Sequence, residues 1–283
     1  MNYRHAYHAG NFAEVVKHAV LARVVAHLRE KPAAFRILDT HAGAGLTDLA
    51  GPEANKTGEW RDGIGRVRAA ALDDPVRALL APYLDAVAAC NPGARLVAYP
   101  GSPVLVRSWL RPQDRLLACE LEPGAASALA RRMRGDARVK VLAIDGWTAL
   151  AAYLPPKERR GAVLIDPPFE QPGEFARLAD GLVGAHRKWA TGTYLAWYPI
   201  KDRRDCDAFG RRLARTGIPK MLRAELSVAP GPTTERLAGT GLIVINPPWT
   251  LEAELAVLLP ALAGVLGRER PGTFRLDRLT TKK

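Results

Sequence analysis

The spacing of apolar residues changes along the chain, and each spacing predicts a different element. Val16, Val20, Val24 and Leu28 recur at the period of one helix face. From residue 35 onward, short apolar runs alternate with segments of helical period. The predicted strands are 35–40, 115–120, 139–145, 162–166 and 193–198, and the predicted helices between and after the later strands are 123–134, 147–153, 173–189 and 203–216. This alternation predicts an α/β fold with a parallel sheet and helices on both faces.

The C-terminal part departs from this alternation. Segments 220–228 and 241–246 both have strand composition, and only a short stretch rich in Pro and Gly separates them. Because that connection is too short for a crossover helix, we expect the two strands to pair antiparallel. A helix is predicted over 251–266, and the basic tail 268–283 is expected to be mobile.

The chain leaves the alternating pattern after Gly45 and returns to it at Gly101. The segment between them holds two predicted helices, the second with Asp74 as its N-cap and Pro75 at its first helical position. Ser102 is expected to be the N-cap of the helix that follows the return. We therefore predict a core made of residues 1–45 and 101–283, and an inserted helical subdomain made of residues 46–100.

The net charge of the chain gives information about its binding partners rather than about its fold. The 283 residues include 41 Lys and Arg against 29 Asp and Glu, a formal net charge of +12. Such an excess favours a polyanion such as nucleic acid, although a basic protein without that partner has the same composition. No run is apolar enough to span a bilayer, and the three cysteines stand in neither metal nor disulfide spacing. We expect a cytoplasmic monomer that does not associate with membranes.

Five of the six histidines fall in the first 41 residues. They form no His-Glu-x-x-His pattern and have no cysteine pair nearby, so we predict no metal site. The first eleven residues mix aromatic, cationic and polar groups without apolar periodicity, which suits a loop over an active site. Asn11 and Glu14 have the spacing of a capping box that starts the first helix. Lys17 on that helix is suited to binding a carboxylate or phosphate, or to lying on a solvated face.

The turn after the first strand, 41–45, is His-Ala-Gly-Ala-Gly. Its glycines let the backbone approach a nucleotide cofactor at the carboxyl end of the strand, although tight strand-to-helix turns have the same composition. The second strand of the core ends at Glu120, a carboxylate suited to the two hydroxyls of a ribose. The third ends at Asp145-Gly146, where an adenine amine is expected to be bound. Ser102 is placed at a helix N-terminus facing the same ligand, or it only caps its helix.

Asp166-Pro167-Pro168-Phe169 follows an apolar strand and is the most informative local motif. The two prolines keep the turn extended, so a carboxylate and the Pro167 carbonyl can both accept from one aromatic amine. Phe169 is suited to stacking on the base. These acceptors would favour a pyramidal, more nucleophilic nitrogen, and Asp166 could accept the proton that leaves it.

Asn246-Pro247-Pro248-Trp249 competes for the same role by residue type. The strand before it is predicted to be antiparallel, so its carboxyl end should lie at the opposite edge of the sheet from Gly43 and Glu120. Ligands bind outside the carboxyl ends of parallel strands. We therefore assign the reaction to Asp166 and interpret the second motif as a rigid turn into the final helix.

These motifs stand in order along nearly the whole chain, together with segments 3–5, 8–11, 17–18, 38–45, 99–103 and 197–199. In that order they resemble the ribosomal large-subunit methyltransferase J family, whose members are 23S rRNA adenine-N6 methyltransferases. Phe169 stands where the family commonly has tyrosine, a change that stacking should tolerate. The C-terminal tail is less alike and more basic.

The resemblance implies a Rossmann-like class I methyltransferase sheet with an antiparallel last strand and a helical insertion after the first strand. It also implies S-adenosyl-L-methionine as cofactor, adenine 2030 of 23S rRNA as substrate and Asp166 as the catalytic acceptor. The expected cofactor contacts are His18, His41, Gly43, Ser102, Glu120, Asp145, Gly146 and Asp166. The expected substrate contacts are Tyr3, His5, Lys17, Pro167 and Phe169.

Two other functions stay open: a DNA adenine-N6 methyltransferase and a catalytically silent RNA-binding assembly factor. The lack of a separate target-recognition segment disfavours the first, and the intact motifs disfavour the second. Because the fold can close without residues 46–100, we assign that insertion to RNA contact, with a solubilising cap on the sheet edge as the alternative. The candidates for RNA contact are Lys56, Trp60, Arg61, Arg66 and Arg68.

Overall fold

A computed structural model describes residues 7–93, 95–229 and 237–280. The helices are α1 (Phe12–Arg29), α2 (Pro52–Thr57), α3 (Arg66–Ala69), α4 (Asp74–Ala89), α5 (Ser102–Trp109), α6 (Pro123–Met133), α7 (Gly146–Ala152), α8 (Glu174–Lys188), α9 (Arg203–Ala214) and α10 (Leu251–Leu266). The strands are β1 (Arg36–Asp39), β2 (Leu46–Asp48), β3 (Ala98–Pro100), β4 (Arg115–Cys119), β5 (Val139–Leu142), β6 (Gly161–Ile165), β7 (Thr193–Ile200), β8 (Met221–Ser227), β9 (Gly239–Ile245) and β10 (Thr273–Arg278).

Eight of these strands form one sheet in the order β10-β8-β9-β7-β6-β1-β4-β5. The adjacent strands β5, β4, β1, β6 and β7 pair parallel with one another, which confirms the predicted parallel α/β sheet. Helices α1, α5 and α10 cover one face and α7, α8 and α9 cover the other. The parallel strands therefore point their carboxyl ends toward one edge, where ligands bind in such folds.

Strand β9 runs against both of its neighbours, as predicted. Ile245, at its carboxyl end, pairs with Tyr194 near the start of β7 and with Met221 at the start of β8. The turn that follows β9 therefore lies at the edge opposite the carboxyl ends of β1, β4 and β6. Asn246 holds this turn, since its side-chain amide donates to the carbonyls of Ala190 and Gly192 at 2.8 Å each.

The expectation of a mobile tail is wrong for most of its length. Strand β10 pairs antiparallel with β8 at the edge of the sheet. Buried Arg223 on β8 donates to both carboxylate oxygens of Asp277 on β10, at 2.8 and 2.6 Å. Some of the charged residues that suggested a solvated tail thus form ion pairs with the neighbouring strand. Residues 281–283 lie outside the described part.

Residues 46–100 begin and end in a small antiparallel ribbon of β2 and β3, and the Gly101 amide donates to the Gly45 carbonyl at 2.8 Å. Between them lie α2, a π-helical turn (Arg61–Gly65), α3 and α4, so the predicted number of two helices was too small. The N-cap of α4 is Asp73 rather than Asp74, and that of α5 is Gly101 rather than Ser102. In both helices the proline therefore stands at the second helical position rather than at the predicted first one.

The insertion packs onto the core rather than standing apart from it. Helix α4 contacts α1 and α10, and the π-helical turn also contacts α1. Leu80 and Tyr83 of α4 and Ile64 of the turn are completely buried in the same apolar cluster as Val16 and Val20 of α1. A membrane-spanning helix is not found in the described ranges, because none of their helices combines the length and hydropathy that this requires.

Candidate active site

A cavity of about 970 Å³ lies at the carboxyl ends of β1, β4, β5 and β6, and its size suits a small-molecule ligand. A smaller cavity of about 30 Å³ shares part of its lining. The predicted site residues that line the large cavity are His41, Gly43, Glu120, Asp145, Gly146 and Asp166. Those that line the small one are Lys17, His41, Gly43, Ser102 and Asp166. The fold therefore gathers these predicted residues, although they lie far apart in sequence.

Backbone amides orient the carboxylate of Glu120. The Gly43 amide donates to one oxygen at 2.7 Å, and the Glu122 amide donates to the other at 2.8 Å. Gly43 has a φ of +62°, a conformation that glycine adopts without strain. Each carboxylate oxygen can still accept another hydrogen bond, so Glu120 remains able to bind a diol.

Asp145 and Gly146 start α7 beside the first strand. The Asp145 carboxylate caps the helix by accepting from the amide and the hydroxyl of Thr148 at 3.0 and 3.2 Å. A Cβ on Gly146 would lie 2.2 Å from the Thr40 carbonyl oxygen, so only glycine allows this approach. The next residue, Trp147, also lines the cavity, and sequence reasoning missed it. Its only sequence signal is its place directly after the Asp-Gly pair.

Trp147 is held between two side chains at the wall of the cavity. The His41 ring meets it edge-on, with 5.7 Å between ring centroids. The Arg177 guanidinium lies 4.9 Å from the centre of the indole ring, a cation–π distance. The arrangement presents a flat aromatic surface and a cation next to Asp145.

Asp39 is a second residue that sequence reasoning missed. It ends β1, is completely buried, and accepts a hydrogen bond of 2.6 Å from the hydroxyl of Ser102. Burial raises the pKa of Asp39 to about 7, although the Ser102 hydrogen bond opposes that shift. Ser102 therefore neither caps α5 nor reaches the large cavity, and its hydroxyl is directed to Asp39. The available signal was the position of an acid two residues before the turn that contains the glycines.

Asp166 ends up beside Lys17 of α1. The Lys17 ammonium lies 2.5 Å from one oxygen of Asp166 and 3.2 Å from Glu14, and only 3% of Lys17 and 5% of Asp166 is exposed. Burial alone lowers the pKa of Lys17, but the charges of Asp166 and Glu14 outweigh burial and raise it. Lys17 therefore stays cationic and does not lie on a solvated face. One carboxylate oxygen of Asp166 is engaged by this cation.

The turn that follows Asp166 has an unusual backbone. Phe169 has a φ of +52°, which a residue with a Cβ rarely adopts. Its half-buried ring packs edge-on against Phe175 and Trp197, with centroid distances of 5.0 and 5.9 Å. Pro167 is buried and Pro168 lines the cavity. Backbone strain of this kind occurs at ligand sites, and here it lies three residues after Asp166.

The structure separates His18 from both cavities. His18 is completely buried, and its Nδ1 lies 2.8 Å from the hydroxyl of Tyr99, which is itself hydrogen-bonded to Tyr83. Tyr3 and His5 fall outside the described residues. Within the described ranges, no three His, Cys, Asp or Glu residues are grouped so that they could hold a metal ion.

Comparisons with known proteins identify the family of the chain. Residues 32–280 match the family model RsmJ, described as "Ribosomal RNA large subunit methyltransferase D, RlmJ". The chain is 40% identical over 262 residues to Ribosomal RNA large subunit methyltransferase J of Escherichia coli, covering 93% of this chain and 92% of that protein. It is 38% identical over 281 residues to the protein of that name in Haemophilus influenzae, covering 99% of each.

A crystal structure of a Legionella pneumophila protein shares the fold. It superimposes with a TM-score of 0.87 at 33% identity, covering 96% of this chain and 98% of that one. The family match and the two relatives each extend over nearly the full length, so they include the sheet, the insertion and the cavity. The chain belongs to the ribosomal RNA large subunit methyltransferase J family.

Proposed function

We propose that the chain transfers a methyl group from S-adenosyl-L-methionine to the N6 amine of an adenine in 23S rRNA, and that this base is adenine 2030. The observation that carries the proposal is the placement of Asp166. Its carboxylate ends a parallel strand beside the large cavity, and a buried cation holds one of its oxygens. The family and the names of the two relatives support the ribosomal RNA substrate. Such a substrate also favours action in the cytoplasm.

The residues present fit a nucleoside-containing methyl donor. The Glu120 carboxylate, oriented by the Gly43 amide, would accept from the ribose hydroxyls. Asp145 would accept from the adenine amine of the donor, with Trp147 as the flat wall beside it. A nucleoside requires such a combination of a diol acceptor, an amine acceptor and an aromatic surface. When bound, the donor supplies an electrophilic methyl group on a sulfonium.

Asp166 and the Pro167 carbonyl would accept the two hydrogens of the substrate amine. Two acceptors fix the amine and favour a pyramidal nitrogen whose lone pair is available for in-line attack. Lys17 bonds only one oxygen of Asp166, so the other can face the amine. Asp166 would then take the proton released from the nitrogen. Phe169 would contact the target base, since its ring is half-exposed at the same turn.

The other expected residues divide into two groups. Lys17 would act on the substrate through Asp166, and Ser102 and His18 would act on the cofactor through Asp39 and Tyr99. His41 lines both cavities and is proposed to contact the cofactor directly. Tyr3 and His5 are proposed to lie near the target adenine on the basis of the family resemblance alone.

Methyl transfer to unmodified 23S rRNA tests the function. The chain is incubated with labelled methyl donor and with either that RNA or double-stranded DNA of similar length, and the products are digested and mapped by mass spectrometry. We expect N6-methyladenosine at one position of the RNA and none in the DNA. Methylation of DNA alone would favour a DNA methyltransferase, and donor binding without transfer to either would favour a silent assembly factor.

A further inference from the structure

Hydrogen bonds connect the insertion to Asp166 through the start of α1. The Ile64 amide of the π-helical turn donates to the Gly10 carbonyl at 2.9 Å. The Gly10 amide donates to one oxygen of Glu14 at 3.0 Å, and Lys17 donates to the other oxygen at 3.2 Å. Lys17 also reaches Asp166. The path consists of groups that are partly or fully buried, so water competes weakly with these bonds.

Glu59 adds a second connection between the same two regions. One of its oxygens accepts from the side-chain amide of Asn11 at 3.0 Å and lies 3.0 Å from Nδ1 of His8. Asn11 in turn caps α1 by accepting from the Glu14 amide at 2.9 Å. The side chain of Glu14 reaches past Asn11 to Gly10, so the predicted capping box is modified. Glu14 therefore receives its position from both connections.

The close approach at Gly63 shows that the contact is built into the insertion. A Cβ on Gly63 would lie 2.0 Å from the Gly10 carbonyl oxygen and 2.6 Å from the Asn11 carbonyl carbon. The backbone there departs from helical geometry, with a φ of −101° and a ψ of −108°. The Arg61–Gly65 turn is therefore kinked at Gly63. Here it brings Ile64 onto the segment that precedes α1.

We propose that Glu14 is a positioning residue for the reaction, and that the insertion sets its position through Glu59 and Ile64. Glu14 holds the Lys17 ammonium in the position from which it binds Asp166. Because the insertion positions Glu14, it also influences the direction of the Asp166 carboxylate. This inference rests on the proposed function of Asp166. It gives the insertion a role in the chemistry in addition to the RNA contact expected of it.

The chemistry of Glu14 requires a carboxylate. Its two oxygens accept from two different donors, the Gly10 amide and the Lys17 ammonium. A glutamine has the same size but only one acceptor oxygen, and its amide group would face one of the two donors. Glu14→Gln therefore removes one of the two hydrogen bonds, to Gly10 or to Lys17, with little change in side-chain volume. Glu30→Gln is the matched control, because Glu30 caps the other end of α1 and pairs with His27.

Chemical labelling tests the positioning without using activity. Lysines are acetylated with a limiting reagent, and the rate at each one is measured by mass spectrometry. Lys17 is 3% exposed, so it should be protected in the parent chain, whereas Lys140 and Lys220 are exposed. We expect Glu14→Gln to raise labelling of Lys17 about tenfold, with Lys140 and Lys220 unchanged. Faster labelling of all three would show general unfolding and overturn the specific role.

Turnover tests the consequence for the reaction. We expect Glu14→Gln to lower kcat about ten- to a hundredfold with little change in the KM for RNA, and Glu59→Ala to lower kcat several-fold. Since both act along one path, the double variant should be no slower than Glu14→Gln alone. Glu30→Gln and Asp62→Asn should match the parent chain, because Asp62 pairs with Arg66 inside the insertion.

The outcomes separate the two proposals. Unchanged kcat and unchanged Lys17 labelling in Glu14→Gln would overturn the positioning role, even if Asp166→Ala is inactive. Fully additive losses in the double variant would overturn the shared path. A parent chain that transfers no methyl group would instead overturn the proposed function, and labelling of Lys17 would still decide whether Glu14 holds it.

Discussion

Two turns of this chain have almost the same sequence and opposite positions. Asp166-Pro-Pro-Phe follows the parallel strand β6, and Asn246-Pro-Pro-Trp follows the antiparallel strand β9. The first turn faces a cavity and a buried cation, with Asp166 5% exposed. The second lies at the other edge of the sheet and leaves Trp249 84% exposed. The comparison teaches that strand direction, rather than local motif, decides which turn can take part in catalysis.

The polar residue at each turn also has a different task. The Asp166 carboxylate binds Lys17, a residue 149 positions away. The Asn246 amide bonds backbone carbonyls of the nearby loop, and Asn246 has a φ of +50°, which asparagine tolerates better than most residues. Asn246 therefore stabilises a bend, whereas Asp166 lines the cavity in which a ligand can bind.

Replacement of each polar residue should give the largest contrast. We expect Asp166→Ala to lower kcat by about a thousandfold or more, because it removes a proton acceptor and an amine acceptor together. Asn246→Ala should leave kcat within about twofold and lower the free energy of unfolding by about 1–3 kcal/mol, because it removes two hydrogen bonds worth about 0.5–1.5 kcal/mol each. Kinetics on folded protein and urea unfolding measure the two effects. Loss of activity in folded Asn246→Ala, with Asp166→Ala active, would contradict the assignment.

Donor affinity should depend on the edge of the sheet where Asp166 lies. Glu120→Ala should weaken binding of S-adenosyl-L-methionine by about 1.5–3 kcal/mol, the range for hydrogen bonds to a charged group. The control is Glu252→Ala, since Glu252 pairs with Arg278 next to the second turn. Calorimetry measures both, and equal affinity in the two variants would remove Glu120 from the donor site.

Salt dependence of RNA binding should locate the RNA-binding surface relative to the two turns. Lys56, Arg61 and Arg68 are exposed on the insertion, whereas Arg66 is engaged by Asp62 and the Gly267 carbonyl. Replacing the three exposed cations by Met should reduce the slope of log K against log salt by about 2, because each phosphate contact releases counterions. Trp60 is partly buried against the core and carries no charge, so its expected contact with RNA is not tested by this variant.

A charge-matched triple variant provides the control for this measurement. Lys31, Lys157 and Lys220 are exposed and precede β1, β6 and β8, at the edge of the second turn. Their replacement should leave the slope within error. Equal slopes in both triple variants would exclude RNA contact by these three cations of the insertion. The insertion would then be interpreted as a solubilising cap on the sheet edge.

Asp39 should give an effect that is visible as a pH dependence of stability. Its folded pKa of about 7 lies above the ordinary value of 3.8, so the folded chain binds the proton more tightly than the unfolded chain. Its contribution to stability is therefore present below pH 4 and is lost as the pH rises toward 7. Asp39→Asn lacks this loss, so its free energy of unfolding should rise relative to that of the parent chain by up to about 4 kcal/mol over that interval, since each unit of pKa difference is worth about 1.4 kcal/mol. Urea unfolding at several pH values measures it, and a constant difference would exclude Asp39 as the titrating group.

Much of the fold could be predicted because the signals are local. The period of Val16 to Leu28 follows from helix geometry, and the alternation of strands and helices follows from the short range of backbone hydrogen bonds. Glu120 and Asp166 could be found because strand ends and prolines are visible in one dimension. Phe169 could be singled out for the same reason, although its left-handed backbone could not.

The errors have a common cause, which is that charge and burial are properties of neighbours in space. The tail was expected to be mobile from its charges, but Arg223 and Asp277 pair across β8 and β10. Ser102 was assigned to a helix cap, but its hydroxyl is directed to Asp39. In the sequence, Glu14 is recognisable only by its capping-box spacing from Asn11. Its hydrogen bond to Lys17 and its connection to the insertion depend on residues that only the fold brings close.

The sequence alone determined the alternating α/β order, the two proline turns and the acids at the strand ends, because these depend on residue type and short-range geometry. Only the tertiary structure decided which proline turn faces the cavity, that Lys17 is buried between Glu14 and Asp166, and that the insertion contacts the start of α1. The physical reason is that burying a charge costs several kcal/mol unless a partner lies within hydrogen-bond distance. Such partners come from segments far apart in sequence, and folding alone brings them together.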